Sequence, residues 1–158
     1  MFYFFIKYCL YAGTVSLLIS LPSIELFPKK QYNHAMDIGK RFTPSVRQKM
    51  KEDVLEAGGN EVFWSGKINA EGVIESVEVG ARGNTDSVIV NPSAARQGHV
   101  LIHNHPSGLL YPSAADQSVA SSCADSAAGF YIVNNTISDV YVVVEPIKPK
   151  VTEKLNPE

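Results

Sequence analysis

His103, Asn104, His105, Pro106, Ser107 and Gly108, followed by Pro112, Ser113 and Asp116, carry the chemistry legible in this chain of 158 residues. Two imidazoles, a hydroxyl and a carboxylate fall within fourteen residues, in the spacing H-x-H-x7-S-x2-D. If Val100 to His105 is extended, His103 and His105 present their rings together, because side chains two apart share a face. Pro106, Gly108 and Pro112 then turn the chain. Ser113 reads as the N-cap of a helix from about Ala114 to Ala128, which puts Asp116 in the first turn, able to face both histidines. Three ligands of the N,N,O type leave a fourth position for water, the arrangement of a catalytic rather than a structural zinc. Cys9 and Cys123 form no C-x2-C pair, so a site closed by thiolates is excluded.

A zinc hydrolase also needs a base for the bound water and a donor for the oxyanion that forms on the attacked carbonyl. Ser113 has the hydroxyl and stands beside the ligands. Glu61 is the leading base, because it opens Glu61-Val62-Phe63-Trp64-Ser65-Gly66, which reads as a mostly buried strand. A carboxylate at the mouth of such a strand needs a reason. Glu71, Glu75 and Glu78 are rivals, but Glu71 falls in the Asn69-Ala70-Glu71-Gly72 turn, and Glu75 alternates with Val73 and Val77 on a half-exposed strand.

These residues resemble the JAB/MPN (JAMM) metalloprotease family, with its upstream glutamate and H-x-H-x7-S-x2-D. The strings His103-Asn104-His105-Pro106-Ser107-Gly108 and Pro112-Ser113-Ala114-Ala115-Asp116 are similar to the RadC-type bacterial branch, and to the JAB module at the front of some bacterial helicase-like proteins. The similarity runs from about Thr43 to Pro146. It implies a cytidine-deaminase-like fold, zinc (Zn2+) on His103, His105 and Asp116, Glu61 as general acid/base and Ser113 as oxyanion donor. It also implies a peptide or isopeptide substrate, such as the tail of a ubiquitin-like protein or a sulfur carrier. Where that branch carries an Asp-His pair after the last core helix, this chain has Asn134-Asn135, and its loop residues Leu109, Leu110 and Tyr111 are more apolar than expected. Those three would cover the cleft or touch a partner.

Blander readings exist for each part. Ser113 and Asp116 alone make a capping box, and a His-x-His on a strand is by itself a weak metal signal. It is their conjunction that points to a metal. Other histidine chemistries fit worse. A metallo-β-lactamase pattern wants an aspartate where Ser107 stands, an amidohydrolase barrel needs a longer chain, and a deaminase needs a Pro-Cys-x-x-Cys segment. An H-N-H nuclease disperses its residues along a ββα unit. A docking module of DNA repair or helicase assemblies, keeping the zinc cradle without catalysis, is the alternative function, and a metal-dependent nuclease the third.

The positioning elements read as an α/β (α+β) domain, a mixed sheet flanked by helices. Thr43-Pro44 and Gly58-Gly59 bracket a helix over Pro44 to Ala57, with Val46, Met50 and Leu55 as its buried stripe. Strands are expected at about Glu61 to Ile68, Val73 to Ala81, Ser87 to Val90, Val100 to His105, Phe130 to Val133 and Ile137 to Val144, with a loop or short helix around Ala94 to Arg96. His99 reads as a loop histidine beside Gly98, His34 as a tail residue and Cys123 as a small apolar packing group.

At 45% hydrophobic the chain suffices for one domain with a core, expected over residues 43–146 with a fraying tail from 147. From Gly58 to Pro146 nine acidic residues face only Lys67, Arg82 and Arg96, whereas Lys29 to Lys51 holds seven basic residues and one acid, Asp37. An acidic surface argues against direct nucleic-acid binding. Residues 1–42 hold a hydrophobic segment and a basic linker. Tyr8 to Phe27 is almost uncharged and is marginal for a membrane anchor; the alternatives are a start assigned too far upstream, with Met36 as initiator, or a signal peptide. The basic stretch after it would keep the domain on the cytoplasmic side.

Overall fold

The computed structural model describes residues 37–148. The hydrophobic N-terminal segment, His34 and most of the tail lie outside them. Five strands form one mixed sheet in the order β2-β1-β3-β4-β5, with β1 at Val62–Ile68, β2 at Ile74–Arg82, β3 at His99–His105, β4 at Gly129–Asn134 and β5 at Val140–Val144. Helix α1 spans Pro44–Glu56 and helix α2 spans Ala114–Asp125. Among the described residues no helix is long and apolar enough to cross a membrane.

Period-2 alternation divides the buried strand residues between two cores. Val62, Trp64, Ile68, Ile74, Val100, Ile102, Tyr131 and Val133 pack with Val46, Met50 and Val54 of α1. On the other face Phe63, Leu101 and Phe130 pack with Ala120 and Cys123 of α2. The same alternation sends His103 and His105 to the α2 side, with Leu101, and Asn104 to the α1 side, with Ile102.

Helix α1 begins as its sequence requires. Thr43 Oγ1 accepts the N–H of Val46 at 3.3 Å and Pro44 occupies the first helical position. At the other end Gly58 and Gly59 have φ of 66° and 81°, and the Gly59 N–H closes onto Val54 O at 2.9 Å. The buried stripe differs from expectation by one residue. Leu55 is 82% exposed, and Val54, four residues after Met50, takes its place. Its neighbour Asp53 is buried too, but accepts Trp64 Nε1 at 2.9 Å and Lys49 Nζ at 2.9 and 3.0 Å, so neither the charge nor the indole N–H is left unpaired.

Five further expectations need correction. Ser87 to Val90 is not a strand, because Asn84 Oδ1 collects the N–H groups of Asp86 and Ser87 at 2.8 and 2.9 Å and curls the segment into a turn. Strand β5 starts at Val140 rather than Ile137, which has φ of 49° in a turn held by the Asn134 side chain. Helix α2 stops at Asp125, where Ala127 adopts a left-handed φ of 59° and Ala128 N–H bonds to Cys123 O at 2.9 Å. His99 opens β3 opposite Lys67 instead of lying in the loop, and the short helix is a single 3-10 turn at Pro92–Ala94.

Candidate metal centre

Two pairings bring the site together. Strand β1 runs antiparallel to β3 with Phe63 opposite His103, so the residue two before Phe63, Glu61, is carried toward the end of β3 that bears His105. Strand β3 runs parallel to β4 with α2 as the crossover. The start of α2 therefore lies at the carboxyl end of β3, where open α/β sheets form their ligand crevices.

His103 Nε2 and His105 Nε2 stand 2.9 Å apart. Asp116 Oδ1 is 3.2 Å from His103 Nε2, and Asp116 Oδ2 is 3.5 Å from His105 Nε2. Two ligand atoms on a tetrahedral zinc, each about 2.0–2.2 Å from it, stand roughly 3.3–3.6 Å apart. These nearest approaches use a different Asp116 oxygen for each histidine, and one donor atom from each residue lies within 4.8 Å of the others; the donor set is the borderline N,N,O set zinc accepts, so the residues present fit the ion after a small closing of the cluster.

Each of the three side chains is held by its surroundings. His105 Nδ1 donates to the Leu109 carbonyl at 2.6 Å, which fixes the ring and turns Nε2 to the cluster. The His103 ring stacks on Phe130 at 5.4 Å between centroids, and its Nδ1 is buried without a hydrogen-bond partner. Asp116 is oriented by a complete capping box, since its Oδ2 accepts the N–H of Ser113 at 2.7 Å while its own N–H donates to Ser113 Oγ at 3.2 Å. The capping box thus leaves Asp116 facing both histidines.

Electrostatics separate the two imidazoles. Burial, with His105 nearby and against the pull of Asp116, lowers the His103 pKa to about 4, so this ring is neutral and carries a free lone pair at neutral pH. His105 is raised, chiefly by its hydrogen bond to Asp116 and further by the Leu109 carbonyl. Burial opposes ionisation of Asp116, but hydrogen bonds from His105 and Ser113 outweigh it and hold the carboxylate well below its usual range. Of the two rings, His105 is therefore the one whose charged form the site favours.

All five residues named from the sequence, Glu61, His103, His105, Ser113 and Asp116, line one cleft of about 290 Å³. Thr85, Asp86 and Ser87 form part of its wall, and no lysine or arginine lines it. Glu61 is 7% exposed. Burial, with Asp116 and Asp86 adding and His105 opposing, raises its pKa to about 6. The rivals are elsewhere: Glu71, Glu75 and Glu78 are exposed, and Glu75 pairs with Lys67 at 3.2 Å. Leu109, Leu110 and Tyr111 do not line the cleft. Leu109 and Tyr111 are exposed, and the Tyr111 ring approaches Tyr141 at 6.2 Å.

Residues 41–145 match the model of the RadC-like JAB domain. The chain belongs to that family. The matched stretch begins just before α1 and ends just after β5, so the RadC-like JAB domain accounts for the whole sheet, both helices and every residue of the cleft. No curated protein matches the chain. In this RadC-like domain, sequence reasoning overlooked Asn104, which is fully buried between the two histidines, and the wall residues Thr85 and Asp86. The signal for Asn104 was available in the alternation of β3, which places a polar residue on the apolar α1 side of the sheet.

Proposed function

We propose that this RadC-like JAB domain is a zinc-dependent hydrolase of peptide or isopeptide bonds, with His103, His105 and Asp116 as ligands, Glu61 as general acid/base and Ser113 as oxyanion donor. The observation that carries this reading is the convergence of two imidazole nitrogens and one carboxylate at the wall of a cleft that also receives a buried glutamate. Zinc bound there would act as a Lewis acid and bring the pKa of a water toward neutrality.

Glu61 has the properties of the base. Its pKa near 6 leaves it ionised at neutral pH yet basic enough to take a proton from the attacking water and return it to the leaving nitrogen. Ser113 Oγ accepts the N–H of Asp116, and a hydroxyl that accepts still has its own proton to donate, here toward the carbonyl oxygen as it gains charge. His105 is held by Leu109 O and His103 by Phe130, so neither ring has to reorganise during the reaction.

The cleft supports an amide rather than a phosphodiester substrate. Glu61, Asp86 and Asp116 are its charged lining side chains apart from the histidines, and a phosphate chain entering it would meet carboxylates and no Lys or Arg. A neutral or basic peptide segment, such as the tail of a ubiquitin-like protein or the lysine side of an isopeptide, meets no such penalty. The test is hydrolysis of peptide and isopeptide libraries by zinc-loaded protein. Glu61→Gln should keep zinc and lose turnover, whereas a Glu61→Gln protein as active as wild type would overturn the assignment.

A further inference from the structure

Asn104 completes a ladder that the backbone leaves unfinished. The pairing of β1 with β3 ends at Phe63 opposite His103. One residue further on, where backbone would continue the ladder, the Asn104 side chain takes over. Its Oδ1 accepts the N–H of Val62 at 2.7 Å, and its Nδ2 donates to Asn60 O at 3.1 Å. The amide cannot be turned the other way, since that would set its NH2 against the Val62 N–H. Nδ2 also donates to Asn135 Oδ1 at 2.6 Å, and Asn135 Nδ2 donates to Gly59 O at 2.8 Å.

Glu61 sits at the centre of this arrangement. Its own N–H donates to Asn84 O at 2.8 Å, and its C=O accepts the N–H of Gly83 at 2.8 Å. The backbone on either side of it is gripped by the two asparagine side chains. Its carboxylate takes no hydrogen bond among the described residues, so where that group stands in the cleft is set by the backbone that carries it. Asn104 belongs to the same strand as His103 and His105 but faces the opposite side of the sheet.

We infer that Asn104 and Asn135 are positioning residues, which lock the segment bearing Glu61 to the strand bearing His103 and His105 and so set the distance between the glutamate and the metal. The inference rests on the metallohydrolase reading of the cleft. It also gives a role to Asn135, which departs from the residue pair expected of the RadC-type branch.

The test uses the full chain loaded with cobalt(II), whose unpaired electrons speed the relaxation of the Glu61 carboxyl carbon as the inverse sixth power of their separation. Asn135→Ala removes both bonds of that side chain. Asn135→Asp, nearly isosteric, keeps the acceptor for Asn104 and sets a carboxylate oxygen against Gly59 O in place of the donor, so it is the second variant if the first does not fold. Both should take one cobalt per chain, because the ligands lie on β3 and α2. The expected result is a Glu61 relaxation rate lowered roughly three-fold in Asn135→Ala, the change that a displacement of about 1 Å produces and a displacement that costs catalytic groups about a hundred-fold in rate. A purely structural bond would lower thermal stability and leave that rate unchanged in the folded protein. Cobalt uptake by all three proteins with equal Glu61 relaxation would overturn the inference alone. Failure of the wild type to take cobalt would overturn the metal reading, and the inference with it.

Discussion

Ser113 and Asp116 bond to each other twice, through Ser113 N–H to Asp116 Oδ2 at 2.7 Å and Asp116 N–H to Ser113 Oγ at 3.2 Å. One pair of residues therefore starts helix α2, aims a carboxylate at two histidines and leaves the Ser113 hydroxyl proton without an acceptor among the described residues.

The two roles of Ser113 come apart in its variants. Ser113→Ala removes the cap acceptor and should cost about 1 kcal/mol of stability. The Ser113 N–H still orients Asp116, so zinc stoichiometry should hold, while turnover falls by about 10²–10³. Ser113→Thr keeps cap and hydroxyl and should recover both. Thermal denaturation, metal content and hydrolysis, measured side by side, check this.

Zinc affinity should depend on pH through His105. Its pKa is raised, mainly by the Asp116 carboxylate, so it is protonated below that value and zinc must displace the proton. Affinity should therefore fall by about ten-fold per pH unit below the raised pKa and level off above it. Competition titrations with a chromophoric chelator from acid to neutral pH would show a break above the ordinary histidine value of 6.5.

Glu61 is held at a cost to stability. Its pKa is raised from 4.5 to about 6 by burial first, so the folded state binds its proton more tightly than the unfolded state does. Stability is then lost as pH rises between these values, with the full penalty present above the folded pKa. Replacing Glu61 with Gln should stabilise the metal-free protein by about 2 kcal/mol at pH near 7.5 and by nothing near pH 4. Urea denaturation at both pH values reads the difference, and an equal effect at both would contradict the assignment of burial as the cause.

Gly83 supplies the N–H that holds Glu61 O. A Cβ placed on it would lie 2.0 Å from Ser87 O, which is backbone and cannot swing aside. Gly83→Ala should cost about 1–3 kcal/mol and release the segment carrying Glu61. It should lower turnover while leaving metal content near wild type, as metal analysis and chemical denaturation would show.

What was legible in the chain follows from how local each signal is. Thr43-Pro44 and Gly58-Gly59 act within one turn of a helix end, so α1 could be read to within a residue. The candidate cluster could be read because His103 and His105 lie on one strand and Asp116 on the first turn of the helix that follows. The stripe was misplaced at Leu55 because Val54 and Leu55 are both apolar, and only packing against Trp64 and its neighbours selects Val54. Ser87 to Val90 has strand-like residues, but Asn84 acts across the turn before them. Asn104 and Asn135 were not read as partners of Glu61, since they bond to residues 59, 60 and 62 through pairings made in the folded sheet.

The central claim is that His103, His105 and Asp116 hold a metal, and metal content tests it most directly. Protein purified without chelator should carry about one zinc per chain by mass spectrometry, and the folded His103→Ala/His105→Ala variant none. No metal in the folded wild type supplied with zinc, or equal zinc in both proteins, would contradict it.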